Sequence, residues 1–396
     1  MIVGVPRESF PGERRVALVP AVIPNLSKAG LQVVVEAGAG AAAGYPDGDY
    51  IAKGAKIVSD RAEVFRAADI VVQILCYGSN DKTGKADVPL FRSGQVLIGF
   101  LRPLGSIETI REIAAKGVTS FSVELMPRTT RAQSMDVLSS MGTICGYKAV
   151  VLAADTSPRV FPMLTTAGGT ITPARVFVIG AGVAGLQAIA TARRLGAVAS
   201  AYDLRPAAKE QVQSLGGRFV ELPIEAKDAE DARGYARAQD ESFYKRQREL
   251  LGKVVAESDV VITAAVIPGK KPPILVTKEM VASMAPGSVI VDLAGERGGN
   301  CELTRPGEIA VEHEVTIIGW FNLASTVPYH ASQMYARNVT AFLLHLVKGG
   351  KLQFDTDDEI IRETMLTRGG EVVNARVREF FSLQPLPAEV KEVAKS

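Results

Sequence analysis

Apolar residues along this chain gather into short runs, and the segments between those runs have helical period. Ile2 to Val5, Val33 to Ala37, Ile70 to Leu75, Val96 to Leu101 and Val118 to Val123 are β-type runs bounded by turn-forming residues. Amphipathic stretches separate them. One runs from Ala21 to Ala29 and stops at Gly30; another runs from Ser106 to Lys116, with Ser106 placed as N-cap and Gly117 beyond its end. This alternation over residues 1 to 130 predicts a parallel α/β sheet without a Gly-rich phosphate loop. A long helical stretch, Ser134 to Ala153, then leads away, and a turn-rich connection holding Gly168, Gly169 and Pro173 precedes the next β run.

That run, Arg175 to Ile179, opens a second βα series reaching about Asn322. The apolar, helix-period stretch Thr326 to Val347 then returns to the first domain. The predicted fold class is α/β, two doubly wound parallel-sheet domains linked by long helices. The first domain takes residues 1–140 with about 326–396, and the second takes 141–325. A chain that crosses twice makes a hinged cleft, the usual place for a dinucleotide and its reaction partner. The length of 396 residues agrees, since single cores stop growing well before it.

Composition narrows the function classes. Apolar residues at 47% and charged residues at 22% are globular usage. A formal charge of +2, with acids and bases intermixed, gives no field to gather a polyanion, which argues against nucleic acid. Cys76, Cys145 and Cys301 stand far apart, with neither disulfide nor zinc spacing, so packing thiols in a reducing compartment and no metal site are expected. Met1 to Glu8 lacks the basic and apolar run of a signal peptide. The longest apolar stretches, such as Val339 to Val347, fall short of the ~20 residues that cross a bilayer. A cytoplasmic chain without a spanning segment is expected.

The strongest motif is Gly180-Ala-Gly182-Val183-Ala-Gly185, with a β run before it and the helical run Leu186 to Leu195 after it. Strand before and helix after is the context that makes this glycine pattern a dinucleotide fingerprint. Gly180 makes the tight turn, Gly182 lets backbone approach a pyrophosphate, and Gly185 lets the helix pack closely on the strand. The pyrophosphate then sits at the helix N-terminus, where Val183 supplies one contact. The next strand, Ala197 to Tyr202, ends at Asp203, the spacing of a carboxylate that accepts from the adenosine ribose. Such a carboxylate repels a 2′-phosphate and favours NAD over NADP. Arg205 argues the other way, but Asp203 holds the strand tip and Arg205 reads better as flanking the adenosine. The bland readings are a plain βα turn and a helix cap.

Two further features are open on spacing alone. The long polar stretch from Glu221 to Lys253, with Gly234-Tyr235 in its middle, reads equally as a lid with an apolar tip or as a solvated helix. Arg128, Gln133, Asp136 and Ser139 join a strand to the connecting helix, and read as a holder of a nicotinamide and its ribose or as a capping arrangement. The strand Val260 to Ala265, followed by Val266, lines the crevice side of the second sheet.

These residues carry a resemblance that covers nearly the whole chain. Val5-Pro-Arg-Glu8 with Glu13 to Pro20, the Gly180 segment, and Gly287 to Ala294 with Gly299-Asn300 resemble the alanine dehydrogenase and transhydrogenase superfamily. Arg128 to Ser139, Gly180 to Arg205 and Gly234-Tyr235 resemble specifically the NAD(H)-binding component, domain I, of proton-translocating nicotinamide nucleotide transhydrogenases. The resemblance implies Rossmann-like domains and a homodimer docked on an NADP(H)-binding subunit, with a membrane proton-channel subunit beyond. Hydride then passes directly between the two nicotinamides. It further implies that Arg128, Gln133, Asp136 and Ser139 orient the nicotinamide and its ribose, Gln133 also reaching toward the NADP(H) component. Val183, Asp203, Leu204 and Arg205 then stand around the pyrophosphate and adenosine. Gly234, Tyr235, Gln247 and Val266 form a mobile loop and pocket edge. A chain of this kind is held at the inner face of the membrane through its partners.

Amino-acid oxidation needs a base and a carbonyl-polarising group, for which the superfamily's dehydrogenases carry His and Lys. At those places stand Gln73 and Arg102, and neither titrates usefully near neutrality. The histidines, His313, His330 and His345, lie outside the first domain's cleft-forming strands and read as packed or surface residues. Arg15 matches a dehydrogenase substrate position and keeps that reading as the alternative, beside a non-catalytic NAD(H)-binding regulator.

Overall fold

A computed structural model of the chain describes residues 1–224, 239–267 and 269–386. It divides into two compact units, Met1–Met141 with Ser325–Ser396, and Gly142–Ala324.

The first unit is built on an eight-stranded sheet. Its order is Glu371–Val372, Met365–Arg368, Thr119–Ser122, Val96–Phe100, Ile70–Leu75, Ile2–Val5, Gln32–Glu36, Lys56–Val58. Neighbours run parallel from Thr119–Ser122 onward, and the two strands at the other edge are antiparallel. Its centre is apolar on both faces, with Val3, Val5, Ile70, Val71, Val72, Val96, Leu97 and Ile98 buried, because helices cover both sides of a parallel sheet. Helix Ile107–Ala115 begins as read, with the Ser106 hydroxyl accepting from the Thr109 N–H.

The second unit carries a seven-stranded sheet. Its order is Arg218–Phe219, Val198–Tyr202, Arg175–Ile179, Val260–Thr263, Val289–Asp292, Val315–Ile318, Ile309–Glu312. All pairs are parallel except the last. Strand order reverses at Arg175–Ile179, which pairs with Val198–Tyr202 on one side and Val260–Thr263 on the other. The carboxyl ends beside such a switch point are where open α/β sheets hold ligands.

Helix Val137–Thr156 corrects one expectation. It has 20 residues, with a mean hydropathy of 1.5 over its most apolar 18, and is the one helix among the described residues long and apolar enough to cross a bilayer by length and composition. Its Ala149, Val150 and Ala153 belong to the second unit's core. Gly146 lies so near helix Val183–Arg194 that a Cβ there would stand 2.0 Å from the Ala184 carbonyl oxygen. The run is apolar because it packs against another helix backbone to backbone. The turn-rich connection after it holds an exposed hairpin, Leu164–Thr166 with Gly169–Ile171.

Candidate nucleotide site

In the second unit the three motif glycines meet three different constraints. Gly180 has φ of 98° where the strand turns away, and a Cβ there would press within 2.9 Å of the Ala264 backbone. Gly185 faces the turn so closely that a Cβ would lie 1.9 Å from the Gly180 carbonyl oxygen. Gly182 has ordinary backbone angles and open space where its Cβ would be. Nothing inside the fold therefore requires glycine at 182, whereas a group resting on this backbone would. Gly182 is the N-cap of helix Val183–Arg194 and makes no side-chain cap, so no side chain of the cap residue covers the first-turn N–H groups. The cradle fits the pyrophosphate of a dinucleotide.

Asp203 stands at the tip of strand Val198–Tyr202 with both carboxylate oxygens in use. Oδ2 accepts from the Ala181 N–H at 2.7 Å, tying the strand tip to the glycine turn. The Arg205 backbone N–H and Nε reach Oδ1 at 2.8 and 2.9 Å, and Arg205 Nη2 reaches Oδ2 at 3.0 Å. The two residues that read as rivals for a ribose or a 2′-phosphate are thus one ion pair. A ribose hydroxyl gains the carboxylate by displacing guanidinium bonds, and a 2′-phosphate gains the guanidinium only by breaking the pair. Leu204 between them is half-buried.

Gln247, on helix Glu241–Ala256, is buried and donates from Nε2 to the Tyr202 hydroxyl at 2.9 Å. Its Oε1 is buried without a partner among the described residues. The burial that surrounds Tyr202 pushes its phenol up in pKa, so it stays neutral. Val266 follows strand Val260–Thr263 in a loop shaped by two residues to which sequence reasoning gave no role. Asn300 Oδ1 accepts from the Ala265 N–H, and its Nδ2 donates to the carbonyls of Ala265 and Pro273. Asp292 in turn fixes Asn300, accepting from its N–H at 2.8 Å and from the Cys301 N–H, Thr263 and Thr304. The signal was the Asp292 and Gly299-Asn300 motif, which carried the resemblance without a stated task. Gly234 and Tyr235 lie outside the described residues.

In the first unit Arg128 is exposed ahead of the 3-10 segment Thr130–Met135, and Gln133 is exposed on it. Asp136 accepts from the Ser139 N–H at 2.9 Å and from its hydroxyl at 2.5 Å, the capping arrangement that spacing had left open. The structure therefore joins Asp136 to Ser139 and sets Arg128 and Gln133 on exposed surface.

Two of the three dehydrogenase positions, Arg15 and Gln73, are buried and held within this unit. The Arg15 guanidinium is clasped by Glu13 at 2.8 and 2.6 Å, with side chains 3% and 0% exposed. Gln73 is buried, its amide 3.3 Å from Asp87 and its backbone carbonyl accepting from the Tyr335 hydroxyl. Arg102 is exposed, with φ of 50°, and its N–H is held by Glu124. His313 and His330 are exposed, and His345 stands beside Asp358.

Profiles of the alanine dehydrogenase/PNT N-terminal and C-terminal domains match residues 4–145 and 149–375. The first part of the NAD(P) transhydrogenase alpha subunit of Rhodospirillum rubrum is 46% identical over 94% of this chain and 98% of its own. The "Alanine dehydrogenase" of Bacillus subtilis is 29% identical over 98% of this chain and 97% of its own. A crystal structure of transhydrogenase from Sinorhizobium meliloti superposes with a TM-score of 0.82 at 42% identity, covering 95% of this chain and 100% of that one. The chain belongs to the alanine dehydrogenase/PNT family, with both of its domains, among the relatives that are transhydrogenase alpha subunits.

Proposed function

We propose that this chain is the NAD(H)-binding component of a proton-translocating transhydrogenase, exchanging hydride with NADP(H) held by a partner subunit. The observation that carries the reading is the pairing of a glycine cradle shaped for a pyrophosphate with an Arg15 and a Gln73 that are buried and held by their own neighbours. Gly182 is glycine for no reason internal to the fold, while Arg15 is neutralised by Glu13 where an amino-acid carboxylate would need it. The relatives' name, subunit alpha, supports a multi-subunit assembly. A homodimer, an NADP(H)-binding subunit, a membrane proton-channel subunit and a place at the inner membrane face complete the proposal.

A bound NAD(H) supplies the hydride donor or acceptor carbon, and one hydride with its electron pair moves from NADH to NADP, leaving NAD and NADPH with no proton released. No side chain has to act as acid or base, so this chain's residues bind and orient. The first-turn N–H groups at Val183 hold the pyrophosphate, as Gly182 lets them approach. Asp203 takes the adenosine ribose while Arg205 stays on its other edge, beside Leu204. Gln247 and Val266 serve as pocket edge over the nucleotide, and the resemblance gives Gly234 and Tyr235, outside the described residues, the mobile loop that closes there. Arg128, Gln133, Asp136 and Ser139 orient the nicotinamide and its ribose. Incubation with NAD and L-alanine tests the choice between family branches: NADH titration saturates and no pyruvate forms. Catalytic pyruvate production would return the chain to the dehydrogenases.

A further inference from the structure

Resting on that reading, the segment that carries Gln133 has a mooring of its own in the first unit. Thr130–Met135 is a six-residue 3-10 helix with only Ala132 and Met135 buried. Arg131, Gln133 and Ser134 all face outward. So short an element with two core anchors does not hold a fixed place by burial alone. It packs on helix Pro328–Leu346, where the Asn338 amide donates to the Ser134 carbonyl at 2.8 Å, one residue from Gln133. A second tie is the Arg131 guanidinium, which donates to Asp358 Oδ2 at 2.7 Å. Asp358 is itself fixed, because its Oδ1 caps helix Glu359–Thr364 by accepting from the Ile360 N–H at 2.8 Å. His345 lies 3.2 Å from the same Oδ2, out of line for a hydrogen bond.

We infer that Asp358 is a positioning residue for hydride transfer: through Arg131, and together with Asn338, it fixes where the Thr130–Met135 segment presents Gln133. The physical grounds are a difference in sensitivity. The Arg131 side chain is 66% exposed, and an ion pair of that kind adds little to stability. Hydride transfer is far more sensitive, since a displacement of about 1 Å between reacting groups costs about a hundredfold in rate. Burial draws the Asp358 carboxyl up in pKa. The Arg131 bond, the Ile360 N–H and the charge of His345 outweigh that pull and hold it below the ordinary carboxylate range. It is therefore ionised whenever the protein works near neutrality.

Two substitutions separate the ion pair from the helix cap. Asp358→Asn keeps a capping oxygen and loses the charge, while Asp358→Glu keeps the charge and weakens the cap. The full chain is combined with its NADP(H)-binding partner, and single-turnover transfer from NADH to an NADP analogue is measured beside the NADH dissociation constant. For Asp358→Asn the expected result is a transfer rate about tenfold lower with the dissociation constant within about twofold, the split that marks an effect on orientation rather than grip. Asp358→Glu retains most of the rate, and Asn338→Leu repeats the Asp358→Asn pattern. Wild-type transfer by Asp358→Asn, a proportional loss of affinity and rate, or a greater loss in Asp358→Glu than in Asp358→Asn would overturn the inference. Absence of transfer by the wild-type chain would instead remove the functional reading on which it rests.

Discussion

Gly182 and Gly185 stand three positions apart and answer to different demands. Gly185 is fixed by the fold: an added methyl would overlap the Gly180 carbonyl oxygen at 1.9 Å, a backbone atom, and the clash is relieved only by moving the helix or the turn. Gly185→Ala should therefore lower stability by about 3 kcal/mol in urea unfolding, the range of an overpacked core contact. Gly182→Ala meets open space with an ordinary φ of −76° and should change stability by less than about 0.5 kcal/mol. The same methyl would lie where the pyrophosphate rests, so NADH affinity should fall about tenfold or more, by calorimetric titration, if that contact costs what overpacking does. Equal behaviour of the two variants in both assays would mean that Gly182 serves the fold and not a ligand.

At the level of elements, the loop after the first strand is tied to its neighbour by a carboxyl. Glu8 accepts from the Ile74 and Leu75 N–H groups at 2.6 and 3.1 Å, at the carboxyl end of strand Ile70–Leu75. Burial raises its pKa from 4.5 to about 8, with Glu13 adding to the rise and the two N–H groups and Arg61 opposing it. Below about 4.5 the carboxyl is protonated in both folded and unfolded chains. As pH rises toward 8 the unfolded chain ionises first, so the stabilisation that this acid contributes is lost across that interval. Glu8→Gln should flatten the decline in thermal midpoint between pH 5 and pH 8, leaving the variant relatively more stable at the upper end. An identical pH slope in the two proteins would show that Glu8 ionises normally.

Elements differed in how plainly the sequence announced them. The central strands, such as Val96–Phe100 and Arg175–Ile179, are continuous apolar runs because helices bury both faces, and their boundaries were readable to within a residue or two. Lys56–Val58 and Glu371–Val372 went unread, since short edge strands bury little and need no apolar run, and Met365–Arg368 went unread because its buried run is only three residues long. Helix Val137–Thr156 was read as a long helix, Ser134 to Ala153, but not as one apolar enough to cross a bilayer, because Gly, Ser, Lys148 and Asp155 interrupt its apolar residues. Its small residues make sense only once Gly146 is seen against Ala184. In the same way the glycine turn was legible from spacing, whereas the clasp of Glu13 on Arg15 and the support of Val266 by Asn300 and Asp292 depend on side-chain geometry that no spacing encodes.

For the molecule as a whole, a nucleotide-binding unit is joined in one chain to a second sheet unit in which Arg15 and Gln73 are buried and held by their own neighbours, and direct hydride transfer asks no proton-transfer chemistry of either unit. Such a chain by itself should bind NADH and turn over nothing. The direct test is to mix it with an NADP(H)-binding partner subunit and follow hydride exchange between NADH and an NADP analogue, using NADH deuterated at the transferred position. Exchange is expected only in the mixture, with the deuterium recovered entirely on the reduced analogue. Deuterium lost to solvent, or equal turnover by the chain without the partner, would contradict direct transfer between two nucleotides.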